Sequence, residues 1–275
     1  MATNQSQGSR ARRLATREDD MRQISHGAAA SLLLEARRSR VWLPCLPEDC
    51  RPRDLDDAYA IQQAALAAVG PVAAWKVGAG SPDAVPACAA IAPATLFESG
   101  ASLPARMFHL IGIEAEIAFR LAADLPPRVK PYSRDEVVGA IGSVHAAIEI
   151  SDTRFVAWAS QDRPSHVADQ LNHGALVIGS GRDDWKGFDA KAQRTILSIN
   201  GRLFADVVGG NPAGDPLRLM HWLANHATSR LGGLRAGAIV TTGSVAGVEF
   251  ARSPVRAEAV LPGIGSVDVT VGQPT

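Results

Sequence analysis

The sequence predicts an α+β fold, with a small helical unit at residues 21–70 followed by a mixed-sheet roll at residues 71–275. Two observations carry this. Apolar residues recur at helical spacing before Pro71, whereas the runs after it are mostly short and strand-like. Those runs are joined by long connections and lack the regular βα alternation of a doubly wound sheet. A composition of 46% hydrophobic and 20% charged residues over 275 positions supplies an ordinary globular core.

Taken in order, residues 1–20 are polar, charged and without periodicity, and are expected to be a disordered leader. From Met21 to Arg40, Ala29, Leu32, Leu33 and Ala36 mark an amphipathic helix with basic residues at its end. Pro44 and Pro47 interrupt the chain, and a second helix is expected over Leu55–Val69, started by Asp54 or Asp56 and stopped by Gly70-Pro71. Strands follow at 72–77, 111–121, 144–150, 175–180, 195–199, 238–242, 257–261 and 266–271. Ser133 with Glu136 three residues later reads as a capping box for a short helix. Asn200-Gly201 reads as a hairpin turn, and Asp215-Pro216 opens a helix to about Leu231.

A net charge of zero provides no basic field, so no nucleic-acid partner is expected. No apolar stretch reaches the roughly 18 residues that would cross a bilayer, so no membrane partner is expected either. Cys45, Cys50 and Cys88 form no zinc-type spacing and leave an odd count, which favours a reduced, cytoplasmic setting.

Glu114 and Glu116 carry the chemistry. They interrupt Ile113-Glu-Ala-Glu-Ile-Ala-Phe119, otherwise a buried strand, and strand alternation points both carboxylates the same way. Such a pair is either solvated on an exposed face or neutralised by a hard divalent cation. Glu149, in the apolar run Ala146–Ile150, is the best third oxygen ligand. Three protein ligands leave about three positions open on an octahedral ion, enough for a chelating substrate and a water. Asp152, where that strand ends, is either a further ligand or an acceptor for Arg154 or a ligand water.

Lys76 stands at the end of an apolar strand before Gly78. It either pairs with a substrate carboxylate and moves protons, or snorkels to solvent. In Gly237–Gly247, Thr242 and Ser244 are plausible carboxylate contacts, and a plain tight turn is the competing reading. His166 and His173 flank Asp169, and either can face a pocket. The histidines make no zinc motif, and no G-x-S-x-G elbow supports a serine hydrolase.

As a set, IEAEIAFRLAADLP (113–126), AAIEISDTRF (146–155), VADQLNHGALVIG (167–179), GDPLRLMHWLAN (214–225) and LRAGAIVTTGS (234–244) resemble the fumarylacetoacetate hydrolase superfamily. The branch most resembled is that of 2-keto-4-pentenoate hydratase and 4-oxalocrotonate decarboxylase. The resemblance implies a mixed β-sandwich roll and a Mg2+ or Mn2+ site built from Glu114, Glu116 and Glu149. It implies that Lys76 lies near the substrate; Asp152 and His166 are further catalytic candidates on the reading of the residues themselves. It also implies a homo-oligomer acting on a small 2-oxo or 2-hydroxydienoic acid. The reaction expected is addition of water to a 2-hydroxy-2,4-dienoate. Decarboxylation of a 2-oxo-enedioate, C–C hydrolysis of an acylpyruvate, and a non-catalytic ligand-binding role stay open. The loop after Lys-Val-Gly, commonly Leu-Thr-Ser/His in the family, is here Ala79-Gly80-Ser81-Pro82.

Overall fold

The computed structural model describes residues 24–272, leaving aside the side chains of Thr228 and Ser229. The leader expected at 1–20 and the first residues of the helix expected from Met21 lie outside the described residues.

Helices α1 (His26–Ser39) and α2 (Leu55–Val69) pack on each other through small and apolar side chains, among them Ala29, Leu33, Ala58 and Ile61. Asp54 caps α2 by accepting the Asp57 N–H, and Gly70, at φ 117°, ends it. Arg53 and His26 hold the Asp57 carboxylate, so hydrogen bonding, chiefly from Arg53, outweighs burial and keeps its pKa far below the usual range.

The remainder is two sheets. The larger runs β2 (Ala87–Ile91), β1 (Ala74–Gly78), β10 (Ile239–Ser244), β5 (Gly112–Leu121), β6 (Ile141–Ser151), β7 (His173–Arg182) and β3 (Leu96–Glu98). The two-residue strand β11 (Glu249–Phe250) pairs with β5. Parallel pairings at β1–β10 and β3–β7 interrupt an otherwise antiparallel order. The smaller sheet runs β4 (Ala101–Leu103), β13 (Gly265–Val271), β12 (Val255–Leu261), β8 (Arg194–Ile199) and β9 (Arg202–Val208). This is the α+β mixed roll expected from sequence. Among the described residues three further α-helices connect the strands: α3 (Arg134–Ala140), with the Ser133–Glu136 capping box formed; α4 (Arg163–Ala168); and α5 (Pro216–Arg230), capped by Asp215.

The core lies between the sheets. Strand β12 alternates strictly, burying Val255, Ala257, Ala259 and Leu261. These belong to one apolar cluster with Ile113, Ile117, Ile148 and Ile150 of the large sheet. At Gly179 the sheets approach so closely that an added Cβ would lie 2.1 Å from the Ser266 carbonyl oxygen. The opposite face of the large sheet carries a smaller apolar cluster, including Ala74, Ala118, Ala147, Leu176 and Ile239. The acidic residues occupy that face.

Several elements lie beyond the sequence expectations. Strand β2 (Ala-Cys-Ala-Ala-Ile) is buried at every position and has no alternation to read. Strand β9 is exposed at most positions, so no apolar face marks it. The strands β3, β4 and β11 are too short for a periodic pattern.

Candidate active site

Register places the acids. Glu114 of β5 stands directly opposite Glu149 of β6, and Glu116 opposite Ala147. Alternation therefore brings Glu114, Glu116 and Glu149 to one face. On β10, Thr241 pairs with Ala118 of β5 and with Lys76 of β1, so Lys76 joins the same face. All four side chains line one cavity of about 500 Å³. Its other walls come from the loop after β1 (Gly78, Ala79, Ala84, Val85), from Arg163 and His166 of α4, and from Trp158, Leu171 and Asn172.

Like charges opposite each other in a sheet are costly, and here they are also dehydrated. Glu116 and Glu149 are each 1% exposed. Burial, with the charge of Glu149, raises the pKa of Glu114. Burial, with the charges of Glu149 and Glu114, raises Glu116 well above the usual range. Glu149 moves the other way. Burial pushes it up, but the Lys76 ammonium and a hydrogen bond from His173 outweigh that and hold its pKa below normal.

The contacts explain this. Lys76 Nζ donates to Glu149 Oε1 at 2.6 Å and to the Leu171 carbonyl at 2.9 Å. His173 Nδ1 lies 2.9 Å from the same Glu149 oxygen. Ser151 Oγ donates to Glu114 Oε1 at 2.5 Å, and Thr241 Oγ1 and the Gly243 N–H donate to Glu116 Oε2. The Leu171 carbonyl is aimed by three consecutive left-handed residues, Gln170, Leu171 and Asn172, with φ of 53°, 52° and 60°. That backbone costs about 1–2 kcal/mol per residue and must be held by its surroundings.

A hard cation was expected here. In each of the three carboxylates the hydrogen bonds fall on one oxygen, leaving the other without a protein donor among the described residues. Donor type and excess negative charge therefore fit a divalent ion. The head groups are not drawn up as a finished cage: among the described residues, no three His, Cys, Asp or Glu side chains are placed to hold an ion as they stand. Lys76 serves as the neutralising cation for Glu149 in this arrangement.

Of the other expected site residues, His166 lines the cavity, and burial followed by the charge of Lys76 lowers its pKa. Asp152, Thr242 and Ser244 are not among the residues that line it. Asp152 points to the opposite side of the chain from Glu149 and Ser151 and accepts the backbone N–H groups of His109, Leu110 and Thr153. The partner of Arg154 is Asp169, not Asp152. Thr242 Oγ1 donates to the Ile117 carbonyl, and Ser244 Oγ to the Gly247 carbonyl, so both tie down backbone. The residues of that strand that touch the acids are Thr241, through its hydroxyl, and Gly243, through its N–H.

Ser151, Thr241, Asn172, Trp158 and Arg163 were not singled out from sequence. Parity from Glu149 points to Ser151, and no comparable signal marks the others. A buried ion pair, Arg154–Asp169, backs the site. Arg154 and Arg37 both donate to the carbonyl of His173, the residue that reaches Glu149.

Residues 60–272 match the family model described as fumarylacetoacetate (FAA) hydrolase C-terminal. A 2-keto-4-pentenoate hydratase of Paraburkholderia phymatum is 30% identical over 254 residues, covering 86% of this chain and 94% of that protein. A 2-hydroxyhexa-2,4-dienoate hydratase of Comamonas testosteroni is 29% identical over 137 residues, covering 50% of this chain and 52% of that protein. The solved 4-oxalocrotonate decarboxylase from Pseudomonas putida G7, complexed with magnesium and adipate, superposes with a TM-score of 0.79 at 21% identity. That match covers 90% of this chain and 97% of the decarboxylase. A fumarylpyruvate hydrolase from Pseudomonas aeruginosa, in complex with Mn2+ and pyruvate, gives 0.54 at 14% identity over 73% of this chain and 89% of the hydrolase. At these identities the solved structures establish a shared fold.

Proposed function

Because the chain belongs to the fumarylacetoacetate hydrolase family, we propose that it is a divalent-metal-dependent hydratase converting a 2-hydroxy-2,4-dienoate into a 4-hydroxy-2-oxo acid. The observation that carries this is the convergence of Lys76, Glu114, Glu116 and Glu149 on one cavity. The hydratase relatives, one of them aligned over nearly its whole length, support the reaction type.

Glu114, Glu116 and Glu149 would hold Mg2+ or Mn2+, the class of ion named with several solved relatives. Bound there, the ion supplies a Lewis acid for a substrate that chelates through its carboxylate and the neighbouring oxygen. The chain's own groups do the rest. Lys76 orients the substrate carboxylate by a charge-assisted hydrogen bond. Its second contact, with the Leu171 carbonyl, fixes where the ammonium sits.

The reaction needs a proton moved onto the terminal diene carbon, then water added across the double bond so formed. Oxygen joins the fourth carbon and hydrogen the third. His166 faces the cavity with its pKa lowered, so it is neutral at pH 7 and accepts a proton from the attacking water. Apolar walls from Val85, Val167 and Leu171 limit competing solvent.

The test is ultraviolet loss of the dienol in the presence of Mg2+, with the 4-hydroxy-2-oxo acid identified as product. Stoichiometric CO2 from a 2-oxo-enedioate, with no hydration of any dienoate, would replace this reading with decarboxylation. Assembly as a cytoplasmic homo-oligomer, and division into a helical unit at 21–70 and a catalytic unit from residue 71, complete the proposal. Light scattering and limited proteolysis test the assembly and the division.

A further inference from the structure

The cavity is larger than the short dienoates for which the hydratase relatives are named. Its volume is about 500 Å³. A five-carbon dienoate has about eight non-hydrogen atoms. Even at ~30 Å³ each, the share of a liquid water, they fill about 240 Å³. The space is left open by small side chains: Gly78, Ala79, Gly80, Ala84 and Ala87 line one wall. A Cβ added at Gly78 or Gly80 would meet nothing within 4 Å.

A second cavity of about 200 Å³ adjoins the first, sharing Trp158, His166 and Asn172 as a partition. The chain itself links the two. Glu149 and Ser151 line the first cavity, and the next alternate residues, Thr153 and Phe155, line the second. Four residues from Glu149 to Thr153 span at most about 14 Å. The acids and the second chamber are therefore within reach of a single substrate with a tail of modest length. Phe155 and Trp158 give that chamber aromatic walls, and Trp158 is braced edge-on by Phe250 at 4.9 Å. Of the cationic side chains along the way, Lys76 is engaged by Glu149, and Arg163 donates to the Val85 carbonyl.

We propose that the substrate carries a bulky apolar substituent, about the size of a phenyl ring, at the end remote from the carboxylate. The chamber behind Trp158 receives it. This rests on the 2-oxo acid reading above and names its substrate class.

The test separates the two. Binding of 2-oxopentanoate and of 6-phenyl-2-oxohexanoate to the Mg2+-supplemented full chain is measured by calorimetry. Turnover is measured on 2-hydroxy-2,4-dienoates with hydrogen, methyl or phenyl-bearing ends. The phenyl-bearing acid should bind about tenfold or more tighter, a modest return for burying an aromatic ring. Ala157→Phe, which fills the second chamber at an exposed loop position, should erase that advantage while leaving 2-oxopentanoate affinity unchanged. Equal affinity for the two acids, or an advantage that survives Ala157→Phe, overturns the proposal. Tighter phenyl-acid binding, abolished by Ala157→Phe, with no dienoate hydrated, upholds the chamber's role and rejects the hydratase reading. Hydration of the short dienoate with no gain from the tail does the reverse.

Discussion

Replacing Lys76 with methionine tests how the acidic face is neutralised. The lysine is 12% exposed and its partner Glu149 1%, with 2.6 Å between Nζ and Oε1. At an effective dielectric constant of about 20, unit charges at that separation attract by about 6 kcal/mol. Desolvation consumes part of this in the native pair. Removing one partner, however, leaves Glu149 buried and facing Glu114 across the strand pair, either as an uncompensated charge or forced to take up a proton. The expected loss is about 3–5 kcal/mol, the usual cost of breaking a buried ion pair. Methionine preserves the apolar stem, so lost packing adds little. The assay is urea unfolding with chelator and with millimolar Mg2+. With chelator the variant should lose the full amount. With Mg2+ a large share should return, because the ion takes over the neutralisation of Glu149. A loss under about 1 kcal/mol would mean a solvated surface lysine. An equal loss with and without Mg2+ would mean that the ion and the ammonium do not share a role.

Other perturbations probe separate parts of the account. Asp169→Asn strips the charge that pairs with buried Arg154 and should cost about 3–5 kcal/mol in urea unfolding, against near-neutrality if the pair is dispensable. Gly179→Ala pushes a methyl group into the Ser266 carbonyl and should destabilise by about 1–3 kcal/mol or more, and unchanged stability would contradict the close approach of the sheets. His226, packed between Tyr59 and Trp222, has its pKa lowered to about 4, chiefly by burial. Because the folded value lies below the unfolded one near 6.5, its contribution is complete above about pH 6.5 and is lost as pH falls toward 4. His226→Leu should therefore flatten part of the decline in unfolding free energy between pH 7 and pH 4, and an identical slope would remove His226 from the titration. Lys76→Met should also lower the turnover of any dienoate that the protein hydrates while leaving Mg2+ bound, with an unchanged rate demoting Lys76 to a structural partner.

What could be read from the sequence followed the length and regularity of each element. The helix at Leu55–Val69 carries both a start and a stop signal, Asp54 and Gly70, and appears with those limits. The Ser133–Glu136 capping box forms as its spacing requires. The acidic strand was legible because alternation alone puts Glu114 and Glu116 on one face, and register then brings in Glu149. Parity explains where two of the other candidates, Asp152 and Thr242, are directed. Asp152 is three residues from Glu149 and so faces away, where it collects backbone N–H groups. In β10 the register that seats Lys76 selects Thr241, one residue before Thr242. Trp158 and Arg163 could not have been found, because they sit on an irregular loop and a short helix that approach the acids only through tertiary packing.

The central claim is that Glu114, Glu116 and Glu149 together hold one divalent cation. It is tested most directly by titrating Mn2+ into the chelator-treated protein, using calorimetry or the electron paramagnetic signal of free Mn2+. One site per chain is expected, weakened more than about 100-fold by Glu116→Gln, a change that keeps shape and removes charge. No Mn2+ uptake by the unmodified protein, or undiminished uptake by the variant, would contradict the claim.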